Sequence, residues 1–206
     1  MSANRKIEAD YVSEAQYFAM LERSEARLEW IGGKIRAMAG GTSNHATLFG
    51  RLAMAINNRI SADSTCEART ADIKVRAEAS AANYLPDVVV YCDDAVWDET
   101  RPDWLLSPLL LAEVLSNSTE KIDENEKLLA YRQIPTLRHY LLLSQRRVLV
   151  KHHHRNDAGE WLLDLYNWRH QQIFLDVLNV TFPVEELYRR LDVPEGCILL
   201  PEPDEN

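Results

Sequence analysis

The sequence predicts a mixed α/β (α+β) domain in which a central mixed β-sheet is flanked by helices. Three observations favour this class. The chain has 206 residues, which is enough for one domain with a sizeable core. Residues 85–91 and 109–115 are almost continuously apolar, as is typical of strands buried on both faces. Residues 45–62 repeat apolar side chains every three or four positions, which indicates an amphipathic helix.

The first part of the chain predicts a helix, a hairpin and an exposed strand around that long helix. Ser13 followed by Gln16 is a capping-box pattern, so a helix is expected over the next ten residues. Residues 28–31 and 34–38 are joined by two glycines, which predicts a β-hairpin. The alternation of polar and apolar residues over 71–77 predicts a half-exposed strand.

The second part predicts further strands around one more long helix. A polar loop over residues 92–108 separates the two buried strands. A helix begins at Ser118 or Thr119 and ends before Pro135, because proline disfavours helix at the preceding residue. Further strands and a last short helix are predicted at residues 139–143, 147–151, 161–166, 173–175 and 184–191.

We expect one domain over residues 1–206, since neither a repeat nor a long linker divides the chain. Residues 13–150 form its core. Residues 151–200 add strands and a short helix that complete the sheet, and residues 201–206 form a disordered acidic tail.

Composition excludes several classes of protein. Hydrophobic residues make up 46% of the chain and charged residues 27%, as in globular domains. We expect no membrane segment, because no apolar run approaches the 18 or more residues that a membrane helix needs. The three cysteines, Cys66, Cys92 and Cys197, are widely spaced and odd in number. They predict neither a disulfide framework nor a zinc site, and they favour a reducing cytoplasm.

Charge is unevenly distributed along the chain. The net charge of −9 argues against indiscriminate coating of nucleic acid. Residues 1–80 carry a net +1, whereas residues 81–206 carry −10. An anionic substrate is therefore expected to meet the first half, and its binding residues are predicted to include Arg36, Lys74 and Arg76. A set of solvated surface charges is the alternative interpretation.

An acid lies inside or at the start of each buried strand. Asp87 precedes three valines, and Glu113 interrupts the second apolar run. Ionised carboxylates are costly in apolar surroundings unless they are paired or bound to a metal. If the two strands are neighbours, Asp87 and Glu113 can share a hard cation such as Mg²⁺. Otherwise each acid caps a strand end or pairs with an arginine.

The helix that follows Glu113 supplies a candidate lysine. Lys127, Tyr131 and Ile134 share one helical stripe, so the lysine can point at the sheet. There it would orient a water molecule or stabilise phosphate charge. A lysine at the edge of an apolar face is the alternative.

These residues resemble the Uma2 family of endonucleases, which belongs to the PD-(D/E)XK superfamily. The resemblance runs from about residue 13 to residue 150. It is carried by residues 28–35, His45, and the segments 86–90, 113–119, 126–132 and 137–143.

The resemblance implies a restriction-endonuclease-like core that binds Mg²⁺, with Mn²⁺ as a second possible metal. It assigns the metal to Asp87 and Glu113. The superfamily lysine normally comes two residues after the second acid, where this chain has Leu115. Its place in this family is on the next helix, at Lys127. Glu29 would add a third carboxylate, and His45 would contact the site or a phosphate.

The predicted function is a Mg²⁺-dependent endonuclease that hydrolyses DNA, with Asp87, Glu113, Lys127 and Glu29 as catalytic residues. One alternative is a catalytically inactive nuclease fold that acts as a homodimeric binding or assembly module. Another is a hydrolase of nucleotides or small phosphates. The nuclease hypothesis requires Asp87 and Glu113 to face the same side of the sheet, with Lys127 beside them.

Overall fold

The computed structural model describes residues 11–23, 26–38, 41–70, 73–116 and 119–196. Its helices are α1 (Glu14–Leu21), α2 (Ser43–Asn57), a π-helix (Ile122–Lys127) that runs directly into α3 (Leu128–Tyr131), and α4 (Val184–Tyr188). Its strands are β1 (Leu28–Ile31), β2 (Lys34–Ala37), β3 (Glu67–Thr70), β4 (Lys74–Ala77), β5 (Ala82–Tyr84), β6 (Val88–Tyr91), β7 (Trp104–Leu105), β8 (Leu110–Leu115), β9 (His139–Ser144), β10 (Val150–Arg155), β11 (Trp161–Tyr166), β12 (Gln172–Leu175) and β13 (Val180–Pro183).

The strands form two large sheets and one hairpin. A six-stranded sheet has the order β11-β10-β9-β8-β6-β3, and a five-stranded sheet has the order β2-β1-β5-β4-β7. In the larger sheet β8 and β9 are parallel and the other pairs are antiparallel, so the sheet is mixed. Strands β12 and β13 pair with each other. This mixed α+β architecture confirms the predicted fold class.

The central strands of the six-stranded sheet, β8 and β9, are buried on both faces. Helix α2 covers one face with Leu48, Leu52 and Ile56, which pack in the same core cluster as Val88 and Val114. The opposite face packs against the five-stranded sheet and α3 in a second cluster. All six residues of β8 are buried, which explains why its sequence is a continuous apolar run rather than an alternating one.

Several elements differ from the expectations. Strands β3, β5, β7 and β13 were not predicted, because strands of two to four residues carry too short a pattern to recognise. Strand β10 begins at Val150 instead of residue 147 and continues through the three histidines. His152 and His153 are buried, and their rings pack against those of His139 and Tyr140 on the neighbouring strand β9.

The expectation of unpaired cysteines is wrong for two of them. A disulfide joins Cys66, just before β3, to Cys92, just after β6. These strands are antiparallel neighbours with Glu67 opposite Tyr91, so the next pair outward brings the two cysteines together. The cysteines therefore no longer favour a reducing compartment, and the cytoplasmic location stays a prediction.

Some expectations concern residues outside the described part of the chain. These are the start of the predicted strand at residues 71–72, a helix cap at Ser118, Cys197, and the tail at 201–206. Within the described ranges, every helix is too short or too polar to pass through a bilayer.

Helix α2 offers a direct test of the core. Leu52 is 0% exposed, whereas Met54, two residues further along the same helix, is 62% exposed. We expect Leu52→Ala to lower the free energy of unfolding by about 2 to 5 kcal/mol, because it leaves a cavity under the sheet. Met54→Ala is the matched control and should change it by less than about 0.5 kcal/mol. Urea denaturation of both variants measures this, and equal losses would contradict the described packing.

Candidate active site

Asp87 and Glu113 lie opposite each other on neighbouring antiparallel strands. The pairing of β6 with β8 sets Val88 opposite Ala112, and Asp87 comes one residue earlier. The backbone N–H of Asp87 donates to the carbonyl oxygen of Ala112 at 3.1 Å. Side chains directly opposite in an antiparallel pair point to the same face. Both carboxylates are therefore on one side of the sheet, as the nuclease hypothesis requires.

Each of these two carboxylates is held through one oxygen. Oδ2 of Asp87 accepts a hydrogen bond from the backbone N–H of Val114 at 2.8 Å and lies 3.1 Å from Nε2 of His45. Oε1 of Glu113 accepts hydrogen bonds from Nζ of Lys127 at 2.9 Å and from the hydroxyl of Tyr131 at 3.1 Å. The second oxygens, Oδ1 and Oε2, have no hydrogen-bond or ion-pair partner among the described residues.

Lys127 is the centre of a buried ion cluster. Its side chain is 2% exposed, and Nζ lies 2.9 Å from Oε1 of Glu29, 2.9 Å from Oε1 of Glu113 and 3.3 Å from Oδ1 of Asp123. Oε1 of Glu29 also accepts the backbone N–H of Leu85 at 3.1 Å. One ammonium therefore joins a strand of each large sheet to the π-helix.

The charges of this cluster shift the pKa values of its members. Burial alone would lower the pKa of Lys127, but the surrounding carboxylates of Glu113, Glu29 and Asp123 outweigh burial and raise it well above its usual range. Burial raises the pKa of Glu113 well above 4.5 against the attraction of Lys127, and nearby acids raise it further. Burial raises the pKa of Asp123 in the same way. We infer that Lys127 stays charged and that the metal-free cluster retains a proton on Glu113.

His45 reaches the site from the start of α2. The hydroxyl oxygen of Thr42 caps this helix by accepting the backbone N–H of His45 at 3.2 Å. The ring packs edge-on against Phe49 with the centroids 5.6 Å apart. The first turn of the helix therefore directs Nε2 to Asp87, and a role of His45 in phosphate binding stays a prediction.

These residues border a cleft of about 360 Å³ that is open to solvent. The charged and titratable residues of its lining are Arg27, His45, Asp87, Glu113, Asp123 and Lys127. Thr42, Ser116, Thr119 and Gln145 add polar groups, and Met38, Phe49 and Val114 add apolar ones.

The structure does not bring the three predicted substrate-binding cations to this cleft. Arg36 lies 3.4 Å from Glu126, Lys74 is paired with Asp103, and Arg76 is paired with both Glu14 and Asp98. None of the three lines the cleft that Asp87 and Glu113 border. Their role in substrate binding stays a prediction.

Two site residues were missed at the level of sequence. Asp123 is four residues before Lys127, and this spacing on a helix is a usable signal for an ion pair. Arg27 carries no motif and was found only through the cleft. The π-helix that carries Asp123 and Lys127 was also not predicted, since the spacing of apolar residues does not distinguish its wider turn from an α-helix. Such turns occur frequently at functional sites.

The donor set fits Mg²⁺ better than zinc. No group of three or more His, Cys, Asp or Glu is arranged around a common ion position within the described ranges. Mg²⁺ does not need such a group, because it takes one or two carboxylates and completes its shell with water and substrate phosphate. Asp87 and Glu113 supply two carboxylates with an uncommitted oxygen each. Glu29 is engaged by Lys127 and is a less available third donor.

Comparison with known proteins places the chain in a family. Residues 14–185 match the Uma2 family, whose description is "Putative restriction endonuclease". "Uncharacterized protein slr1290" of Synechocystis sp. is 33% identical over 180 residues, which cover 87% of this chain and 93% of that protein. "Uncharacterized protein sll1609" of the same organism is 32% identical over 149 residues, which cover 72% and 84%.

A solved structure shares the fold. It is the crystal structure of "a putative nuclease belonging to DUF820" from Anabaena variabilis, with a TM-score of 0.67 and 14% identity. The match covers 83% of this chain and 94% of that one. The shared architecture confirms the restriction-endonuclease-like core.

The raised pKa of Glu113 predicts a pH-dependent gain in stability for Glu113→Gln. The folded wild-type protein holds this proton more tightly than the unfolded chain, whose pKa is near 4.5. Wild-type stability therefore falls as the pH rises from that value through the folded pKa, whereas glutamine does not titrate. We expect the advantage of the variant to grow by about 1.4 kcal/mol for each pH unit in that window.

Denaturation of wild type and Glu113→Gln in the presence of EDTA, at several pH values between 5 and 8, measures this difference in the free energy of unfolding. Glu126→Gln is the control, because Glu126 is exposed and paired with Arg36; its effect on the free energy of unfolding should be small. If Glu113→Gln instead loses stability relative to wild type as the pH rises, Glu113 is ionised in the fold and the inference is wrong.

Proposed function

Because the chain belongs to the Uma2 family, we propose that it is a Mg²⁺-dependent endonuclease that hydrolyses DNA phosphodiester bonds. One observation carries the proposal. Asp87 and Glu113 face the same side of the sheet at an open cleft, and each is anchored through one oxygen while the other stays uncommitted.

Asp87 and Glu113 are the residues that would hold the metal, with Mn²⁺ as an alternative ion. When bound there, the metal would lower the pKa of a water molecule and neutralise charge on the scissile phosphate. The N–H of Val114 and the ammonium of Lys127 already hold one oxygen of each carboxylate, which leaves the other oxygen of each for the metal.

Lys127 acts in this proposal as a positioning residue and as a nearby positive charge. Its ammonium holds Oε1 of Glu113, and Glu29 and Asp123 hold the ammonium in turn. Tyr131 donates to the same oxygen of Glu113. A lysine in the cleft lining also stabilises the charge that develops on a phosphate under attack. Glu29 thus supports catalysis through Lys127, and His45 does so by holding Oδ2 of Asp87.

Plasmid nicking with Mg²⁺ or Mn²⁺ tests this function. We expect wild-type protein to cleave, and Asp87→Asn and Glu113→Gln to lose at least about a hundredfold in rate, because each removes one charged ligand. Asp63→Asn is the matched control, since Asp63 is exposed and outside the cleft. Equal cleavage by all four proteins would indicate a contaminant and contradict the proposal.

Two alternatives make different predictions in the same assay. A catalytically inactive binding module would neither cleave nor bind Mg²⁺ by calorimetry. A hydrolase of small phosphates would bind the metal and leave plasmid intact while it releases phosphate from nucleotides. The acid-paired state of Arg36, Lys74 and Arg76 favours these alternatives, whereas the uncommitted carboxylate oxygens favour the nuclease.

We propose in addition that the protein is a homodimer joined through β11. This strand is at the edge of the six-stranded sheet, and Leu162, Leu163 and Leu165 are 44%, 48% and 41% exposed. Edge strands usually carry charges or prolines that prevent pairing, but β11 has Asp164 as its single charge. Antiparallel pairing of two copies about Leu163 would set Trp161 against Leu165 and Asp164 against Leu162, so like charges are not opposed.

Light scattering coupled to size-exclusion chromatography measures this association. We expect a dimer mass for wild type and a monomer mass for Leu163→Lys, because two lysines would then face each other across the two-fold axis. Met54→Lys is the control, since Met54 is exposed on α2 and away from β11. A monomeric wild-type protein would refute the dimer.

A further inference from the structure

A second cleft lies next to the candidate active site. Its volume is about 330 Å³, and we call it the flanking cleft. Its lining consists of Leu21, Glu22, Ala26, Arg27, Leu28, Lys74, Leu85, Arg101, Asp103 and Trp104. Arg27 belongs to the lining of both clefts.

The two clefts are adjacent along two chain segments. Leu28 lines the flanking cleft, and the next residue, Glu29, binds Lys127. Leu85 also lines the flanking cleft, and Asp87 two residues later borders the active-site cleft. An extended chain advances about 3.3 to 3.6 Å per residue, so along these two segments the clefts are separated by about 7 Å or less. A single DNA strand can therefore contact both clefts.

Charge differs between the two clefts. The active-site cleft combines the carboxyl groups of Asp87, Glu113 and Asp123 with Lys127, and its carboxylate oxygens suit a metal cation. The flanking cleft has the cations Arg27, Lys74 and Arg101 against the acids Glu22 and Asp103, which suits an anion.

Among the three cations of the flanking cleft, Arg27 is the one without an acidic partner among the described residues. Lys74 is paired with Asp103. The guanidinium of Arg101 packs over the ring of Phe18 at 3.7 Å and lies 3.9 Å from Glu22. Arg27 is exposed and has no ion pair with any described residue. Its backbone is fixed, since its carbonyl oxygen accepts the N–H of Met38 at 2.9 Å beside the β1–β2 hairpin.

We propose that Arg27 binds a backbone phosphate of the DNA strand beside the scissile phosphate, and that the strand continues from there into the flanking cleft. A guanidinium suits this role because its planar donors match two phosphate oxygens at once. The inference rests on the proposed nuclease function and names how the same site holds a polynucleotide. A solvated arginine would occupy the same place but would leave DNA affinity unchanged when removed.

Fluorescence anisotropy with a labelled DNA duplex, in the presence of Ca²⁺ instead of Mg²⁺, tests the contact without cleavage. We expect Arg27→Ala to weaken binding about tenfold and to reduce the slope of log affinity against log salt by about 0.9, the value for one phosphate contact. Arg27→Lys should keep the slope and lose part of the affinity. Arg23→Ala is the matched control, because Arg23 lines neither cleft.

Cleavage kinetics separate this inference from the function on which it rests. If wild type cleaves DNA and Arg27→Ala changes neither KM nor the salt slope, the phosphate contact is refuted and the nuclease stands. If wild type neither binds nor cleaves DNA, both fail. We expect Arg27→Ala to raise KM about tenfold for long duplexes and to leave KM unchanged for a substrate too short to reach the flanking cleft. This pair of results would support the proposed course of the strand into the flanking cleft.

Discussion

The ion cluster around Lys127 is the interaction on which the candidate site depends. A buried ammonium is tolerated only if nearby charges compensate for the lost hydration, and Glu29, Glu113 and Asp123 do so here. These acids come from β1, β8 and the π-helix, so the same contacts that stabilise the charge also join both large sheets to a helix. Removing Glu29 or Asp123 would leave the ammonium with too little negative charge around it.

The contacts that stabilise the fold around Lys127 also hold the two carboxylates that would bind the metal. Glu113 is held through Oε1 by Lys127 and Tyr131, and Asp87 is held through Oδ2 by Val114 and His45. Burial makes the ionised form of Glu113 unfavourable in the metal-free protein, so a divalent cation would replace a proton and relieve repulsion among the acids. The site therefore reduces the stability of the empty protein in a way that metal binding would reverse.

Sequence reasoning succeeded where a pattern has one physical cause. Buried carboxylates at 87 and 113 are costly unless they have a partner, so their presence in apolar runs indicated a site, and the structure places both in one cleft. Lys127 was found because a helical stripe fixes its direction. The basic residues were harder to interpret, since Arg36, Lys74 and Arg76 meet acids that are distant in sequence. The disulfide was missed for a similar reason: Cys66 and Cys92 become neighbours only when β3 pairs with β6.

Burial and periodicity are local properties of the chain, so they sufficed to predict the fold class, two acids of the candidate site and the helix that carries Lys127. Which charges neutralise each other became visible only in the packed structure. Glu29 and Asp123 became partners of Lys127, and Arg27, which no motif marks, became the cation shared by the two clefts. Electrostatic interactions depend on distances between segments, and those distances are set only when the sheets and helices pack.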